Sequence, residues 1–178
     1  DDEAEAIIET YRDFNEKIVD FWGGVNSALY RMISNDTKTY VVGNGLIESK
    51  GSGFVLPSGL VIQYPDLKVK TEGEGREKKN SMVYTSRMGD TYIYGAKSVE
   101  NITQGVARCI IGEQIIQIAK KYRVVLTVHD SVICLVRNDE VSPALDYIES
   151  CMRCTPKWAE GLPLDCESGV GRSYGECE

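Results

Sequence analysis

The sequence predicts an α+β domain built around an antiparallel sheet. Three observations predict it. Apolar residues recur at helical spacing through residues 3–34; residues 39–95 break into short β-branched and aromatic runs divided by Gly and Pro turns; and the rest alternates helical spacing with one strand pair around the single histidine. With 178 residues and 42% hydrophobic side chains, the chain is long and apolar enough for one domain with a real core.

The first element is one long helix over about 3–34, because Ile7, Tyr11, Phe14, Ile18, Phe21, Val25, Leu29 and Met32 fall on one face, which is expected to be buried. Ser-Asn-Asp-Thr (34–37) ends it. The strands that follow are TYVV (39–42), GFVLPSGLVIQY (53–64) with a turn at Pro57-Ser58-Gly59, LKVKT (67–71), MVYTS (82–86) and TYIYG (91–95). EGEGREKKN (72–80) is glycine-rich and charged and reads as a mobile loop. Its glycines do not match a phosphate-binding fingerprint, and no strand-turn-helix context surrounds it.

A second helix is predicted over 96–122 from Val99, Ile102, Val106, Cys109, Ile110, Glu113, Ile116 and Ala119. A hairpin follows, VVLTV (124–128) and SVICLV (131–136), turning at His129-Asp130. A third helix fits 140–153 through Val141, Leu145, Ile148 and Met152, and PLDCESGVG (163–171) reads as a final strand. There is no internal repeat.

No run of 18 apolar residues occurs, and the acidic start DDEAEAIIE is unlike a signal peptide, so the chain reads as soluble and intracellular. It begins without methionine, which suggests a piece of something larger. Two of the six cysteines lie inside apolar runs and no spacing repeats, so reduced thiols are expected. Cys151 and Cys154 form a lone CxxC, and zinc would need a second ligand pair.

The net charge of −7 argues at first against nucleic acid. Its distribution reverses that. Residues 1–20 hold eight acids and two bases, residues 138–178 nine acids and three bases, and residues 21–137 fifteen bases and ten acids. A basic middle between acidic ends permits contact with a polyanion, and solvated charge of mixed sign accounts for it equally.

His129, Asp130 and Ser131 are the residue types of a hydrolase triad, but neighbours in an extended chain point to opposite sides and cannot converge in a hydrogen-bonded line. Two readings remain. The pair is a plain polar turn, or Asp130 holds a hard divalent cation, whose oxygen ligands include one or two carboxylates completed by water and phosphate. Two-metal phosphoryl transfer needs a further carboxylate from elsewhere.

VVLTVHDSVICLV resembles the motif C hairpin of family A DNA polymerases, the DNA polymerase I family, usually an apolar strand, Val-His-Asp-Glu and another apolar strand. YGAKSVENITQGVARCIIGEQI (94–115) is similar to the family's helix before motif C, and WAEGLPLDCESGVGRSYG (158–175) resembles the closing segment of its bacteriophage members. With LPSGLVIQYPDLKV (56–69) and YRDFNEKIVDFW (11–22), the resemblance covers nearly the whole chain.

The resemblance implies that residues 1–36 are a fingers-side helix and 37–178 the C-terminal segment of a polymerase palm. It implies that Asp130 binds catalytic Mg2+, that His129 lies against the primer end, and that Lys97, Asn101 and Gln104 touch primer-template DNA near the minor groove, where acceptors are alike for every base pair. Lys97, Asn101, Gln104 and Arg108 are three or four apart and so share one stripe of the second helix, which also fits a plain exposed face. Two departures stand out. Ser131 replaces the usual glutamate, and the family's motifs A and B, with the second metal aspartate and the residues that bind the dNTP phosphates, are absent. The resemblance therefore implies a partner chain carrying motifs A and B, in the cytoplasm of an infected bacterial host.

Overall fold

Asn15 divides the predicted first helix in two. In this computed structural model, which describes residues 2–34, 36, 38–73 and 78–177, α1 spans Asp2–Phe14 and α2 spans Glu16–Ile33. Asn15 has φ −122° and ψ 42°, its backbone N–H is shared between the Tyr11 and Arg12 carbonyls, and its side-chain amide donates to the Tyr11 carbonyl at 2.8 Å. An amide side chain that competes for backbone carbonyls interrupts a helix in this way. The expected buried face is also only partial. Val25, Ala28 and Leu29 of α2 are buried, whereas Ile7, Ile8, Tyr11 and Phe14 of α1 are exposed, Phe14 by 83%.

The chain forms two compact units, Asp1–Gly105 and Val106–Glu178. In the first, β1 (Val41–Val42), β2 (Ile47–Ser49), β3 (Gly53–Val55) and β4 (Val61–Gln63) form an antiparallel sheet in chain order. β2 was not foreseen. It follows Gly43-Asn44-Gly45, all at positive φ, which glycine and asparagine tolerate best. The predicted Pro57-Ser58-Gly59 turn is present, closed by hydrogen bonds between Leu56 and Leu60 and from Gly59 to Leu56.

A second antiparallel sheet holds β5 (Lys68–Glu72), β6 (Lys79–Ser86) and β7 (Gly89–Ile93). The loop expected at 72–80 falls partly on residues 74–77, outside the described residues; its flanks pair as Glu72 with Lys79. The core of this unit includes Phe54, Tyr64, Met82, Val83 and Ile93. Each such side chain removed from water contributes roughly 1.5–3 kcal/mol.

α3 (Gly95–Ile118) begins in the first unit and ends in the second. Its first N–H, on Gly95, is taken up by the Asn26 side-chain oxygen of α2 at 3.0 Å. A Cβ at Gly95 would run into the Trp22 carbonyl oxygen, so this close approach requires glycine.

In the second unit, β8 (Arg123–Val128) and β9 (Ser131–Leu135) form an antiparallel pair, and α4 (Val141–Met152) follows a 3-10 turn at Asn138–Glu140. Ile118, Tyr122, Ala144 and Cys151 make a buried cluster, with Val124, Val132, Cys134 and Val136 of the hairpin segment packed against it. The expected final strand at 163–171 is absent: those residues have no regular structure. Side-chain contacts hold the tail instead of a backbone ladder. Arg153 binds Asp165 at 2.8 Å and the Cys166 carbonyl at 3.2 Å, and Ser168 bonds to Glu149. The six cysteines are all thiols.

Candidate functional site

β8 and β9 carry the His-Asp pair at their tip. Val128 pairs with Ser131, so the loop is two residues, His129 and Asp130. His129 has φ +52°, the left-handed region that glycine or asparagine normally fills, at a cost to histidine of about 1–2 kcal/mol. A two-residue hairpin with positive φ at its first position matches the twist of the strands, so the backbone takes a common turn through an uncommon residue. Local strain of this kind tends to persist where the surrounding structure over-determines it. Here the support is the apolar cluster beneath the hairpin, where burial pushes the Cys134 thiol up from its ordinary pKa.

His129, Asp130 and Ser131 are all exposed, and their side chains have no hydrogen-bond or ionic partner among the described residues. The Asp130 carboxylate is therefore available to a ligand. No group of three His, Cys, Asp or Glu residues that could hold a metal ion occurs among the described residues, Cys151 and Cys154 included.

The helical stripe is built differently. Lys97 donates to Glu100 at 2.8 Å, and this bond raises the lysine pKa. Gln104 reaches the other oxygen of Glu100 at 3.5 Å. Asn101 is half-buried and donates to the Tyr64 hydroxyl at 3.2 Å. Arg108 is exposed and has no side-chain partner among the described residues. Lys97, Asn101 and Gln104 lie in the first unit, and Arg108 and the His-Asp turn in the second.

Sequence reasoning missed two features of the stripe. Glu100 stands three residues after Lys97 and four before Gln104, a spacing that makes it a neighbour of both, so this signal was present. The bond of Tyr64 to Ser98 and Asn101 joins residues more than thirty apart, and no local pattern announces it.

No helix among the described residues is long and apolar enough to cross a membrane. No protein-family model matches the chain. No solved structure matches it either. The chain is similar over nearly its whole length to a portion of a bacteriophage DNA polymerase. The relative is the DNA polymerase of Bacillus phage SP02, 30% identical over 181 residues that take in 97% of this chain and 27% of that protein. The chain thus spans about a quarter of the length of the curated relative it matches.

Proposed function

We propose that this chain is the C-terminal part of the catalytic region of a family A DNA polymerase, which adds deoxynucleotides from dNTPs to the primer end of a primer-template. The observation that carries this reading is an exposed, unpartnered aspartate at the tip of a firmly based hairpin, in a chain similar along 97% of its length to a phage DNA polymerase.

Asp130 suits a hard divalent cation such as Mg2+ as one oxygen ligand. The described residues hold no group of three His, Cys, Asp or Glu side chains that could bind a metal, so in this reading Asp130 is a share of a site that other residues complete. Bound there, the metal would supply charge stabilisation to the transferring phosphoryl group. Another polypeptide segment, carrying motifs A and B, would furnish the second aspartate and the residues that bind the dNTP phosphates. In this reading His129 lies against the primer end. Lys97, Asn101, Gln104 and Arg108 contact the primer-template, the first three through positions already ordered by Glu100 and Tyr64.

Ser131 favours a second reading. A hydroxyl is a poor replacement for a carboxylate beside a cation, which suits a module that binds DNA or a replication partner without synthesis. Primer extension with Mg2+ separates the two. The chain alone, the polypeptide that completes it, the two together, and the two together with Asp130→Ala are compared. Synthesis by the wild-type pair that falls at least about a thousandfold with Asp130→Ala supports the polymerase. DNA binding by an assembled pair that does not synthesise sinks it in favour of the module.

A further inference from the structure

Tyr64 follows β4 and is 1% exposed. Its ring is held edge-on by Phe54, at 6.4 Å between centroids, and by Tyr84, at 5.2 Å. Its hydroxyl lies 2.6 Å from the Ser98 hydroxyl, which is fully buried, and accepts the Asn101 amide N–H at 3.2 Å. Packing alone does not call for this arrangement. A phenylalanine and an alanine would fill nearly the same space without two buried hydroxyls that must find partners. What the hydroxyls add is an anchor for Asn101.

The other two stripe residues of this unit are tied at the surface: Lys97 and Gln104 both lean on Glu100, whose side chain is 50% exposed. Such contacts are weakened by salt and by mobile side chains. Asn101 alone of the three is fixed from the interior, by a phenol that two aromatic rings immobilise. Burial pushes the Tyr64 phenol up from its ordinary pKa, so it stays protonated at neutral pH.

We propose that Tyr64, braced by Ser98, is a positioning residue for primer-template binding: its buried hydroxyl sets the Asn101 amide in one orientation on α3 before DNA arrives. This rests on the reading of the stripe as a DNA contact. Binding then avoids the cost of ordering that side chain, and loss of the anchor weakens affinity about two- to tenfold.

The test is titration of a fluorescent primer-template into the complete natural polypeptide or complex that contains this chain, with thermal unfolding measured on every variant. Gln104→Ala and Arg108→Ala probe the stripe itself. Tyr64→Phe, Asn101→Ala and their combination probe the anchor. Tyr64→Phe and Asn101→Ala should each weaken binding two- to tenfold, and the double variant should bind no more weakly than Asn101→Ala alone. In extension assays KM for primer-template should rise while kcat and KM for dNTP stay put. If the two effects instead multiply, or Tyr64→Phe binds as wild type while Gln104→Ala and Arg108→Ala weaken binding, the positioning role is wrong and the stripe reading stands. Unchanged binding in Gln104→Ala and Arg108→Ala overturns the stripe reading itself. Should Tyr64→Phe unfold, Ser98→Ala removes the brace while keeping the ring; it should weaken binding and show the same lack of additivity with Asn101→Ala, and full additivity would again reject the role.

Discussion

Val128 stands directly opposite Ser131 across the β8–β9 pair, which leaves His129 and Asp130 as the entire turn and puts His129 at φ +52°. Relief of that strain should stabilise the protein. His129→Gly is expected to raise unfolding free energy by up to about 1 kcal/mol, because glycine adopts the left-handed region without penalty but loses more entropy on folding. If the histidine serves the primer end, the same change lowers primer extension about tenfold or more. Chemical denaturation and extension rates measured on one preparation check both. A stabilised variant with full activity would make the histidine a passenger in its turn.

Asp130 has no partner among the described residues, so its removal should cost little structure. Asp130→Asn keeps the shape and deletes the charge. Its unfolding free energy should stay within about 0.5 kcal/mol of wild type, while extension by the assembled polymerase falls at least about a thousandfold. Ser131→Glu makes the opposite change beside it, adding a carboxylate at the exposed first residue of β9. Extension measured against Mg2+ concentration should reach half its maximum at a severalfold lower concentration. An unshifted midpoint would mean that position 131 does not face the cation.

The start of α3 depends on Gly95 and Asn26. The Asn26 side chain satisfies an N–H that the helix itself leaves open, so Asn26→Ala should cost about 1 kcal/mol. Gly95→Ala should cost more, about 2 kcal/mol or above, because its methyl group collides with the Trp22 carbonyl oxygen and with Asn26. Thermal or urea unfolding gives both values. Equal, small losses would show that α2 and α3 separate easily at this point.

The predicted hairpin, α3 and α4 reappear within a few residues, because long apolar periodicity and a strand pair of alternating side chains leave few alternatives. The division at Asn15 escaped notice since apolar spacing runs straight through it, while a side chain bonding back to Tyr11 decides the backbone. β2 is three residues long and polar at its centre, too short for any period to register. The expected last strand failed for another reason. Pro-Leu-Asp-Cys-Glu alternates like a strand but has no neighbouring ladder among the described residues, and Arg153 claims its Asp165 carboxylate and Cys166 carbonyl while Glu149 takes the Ser168 hydroxyl just beyond it. At the site, the His-Asp turn was legible as an oddity of local chemistry. The Tyr64 anchor was not, because tertiary hydrogen bonds leave no periodic trace.

The tail should loosen in acid. Hydrogen bonding from Arg153 and then the Cys166 N–H hold the Asp165 carboxyl below its ordinary pKa, and the Ser168 hydroxyl followed by Arg153 does the same for Glu149. Groups whose folded pKa is depressed contribute stability above their unfolded pKa and lose it as pH falls through the folded value. The attachment is thus complete at neutral pH and disappears only below the ordinary carboxylate range. Hydrogen exchange at the Cys166 amide, which donates to the Asp165 carboxylate at 2.9 Å, should show protection at pH 7, after correction for intrinsic rates, that is lost in strong acid. Arg153→Ala should remove both the protection and its pH dependence. High salt should have a milder effect of the same sign, because the Asp165 side chain is 85% exposed.

α1 presents Ile7, Ile8, Tyr11 and Phe14 to solvent, while residues 1–20 carry eight acids against two bases. One side of this helix is apolar and its surroundings strongly acidic. Exposed apolar groups that gather on a helix face mark a contact surface more often than isolated ones do. Without a covering partner the chain should self-associate at micromolar concentration, through apolar contacts that the acidic charge opposes. Raising salt screens that repulsion and should promote association. Phe14→Glu together with Ile7→Glu should shift the chain toward monomer in sedimentation analysis, with no loss of unfolding free energy beyond about 0.5 kcal/mol, since neither side chain is buried. A wild-type chain that stays monomeric in low and high salt would remove the need for any partner on α1.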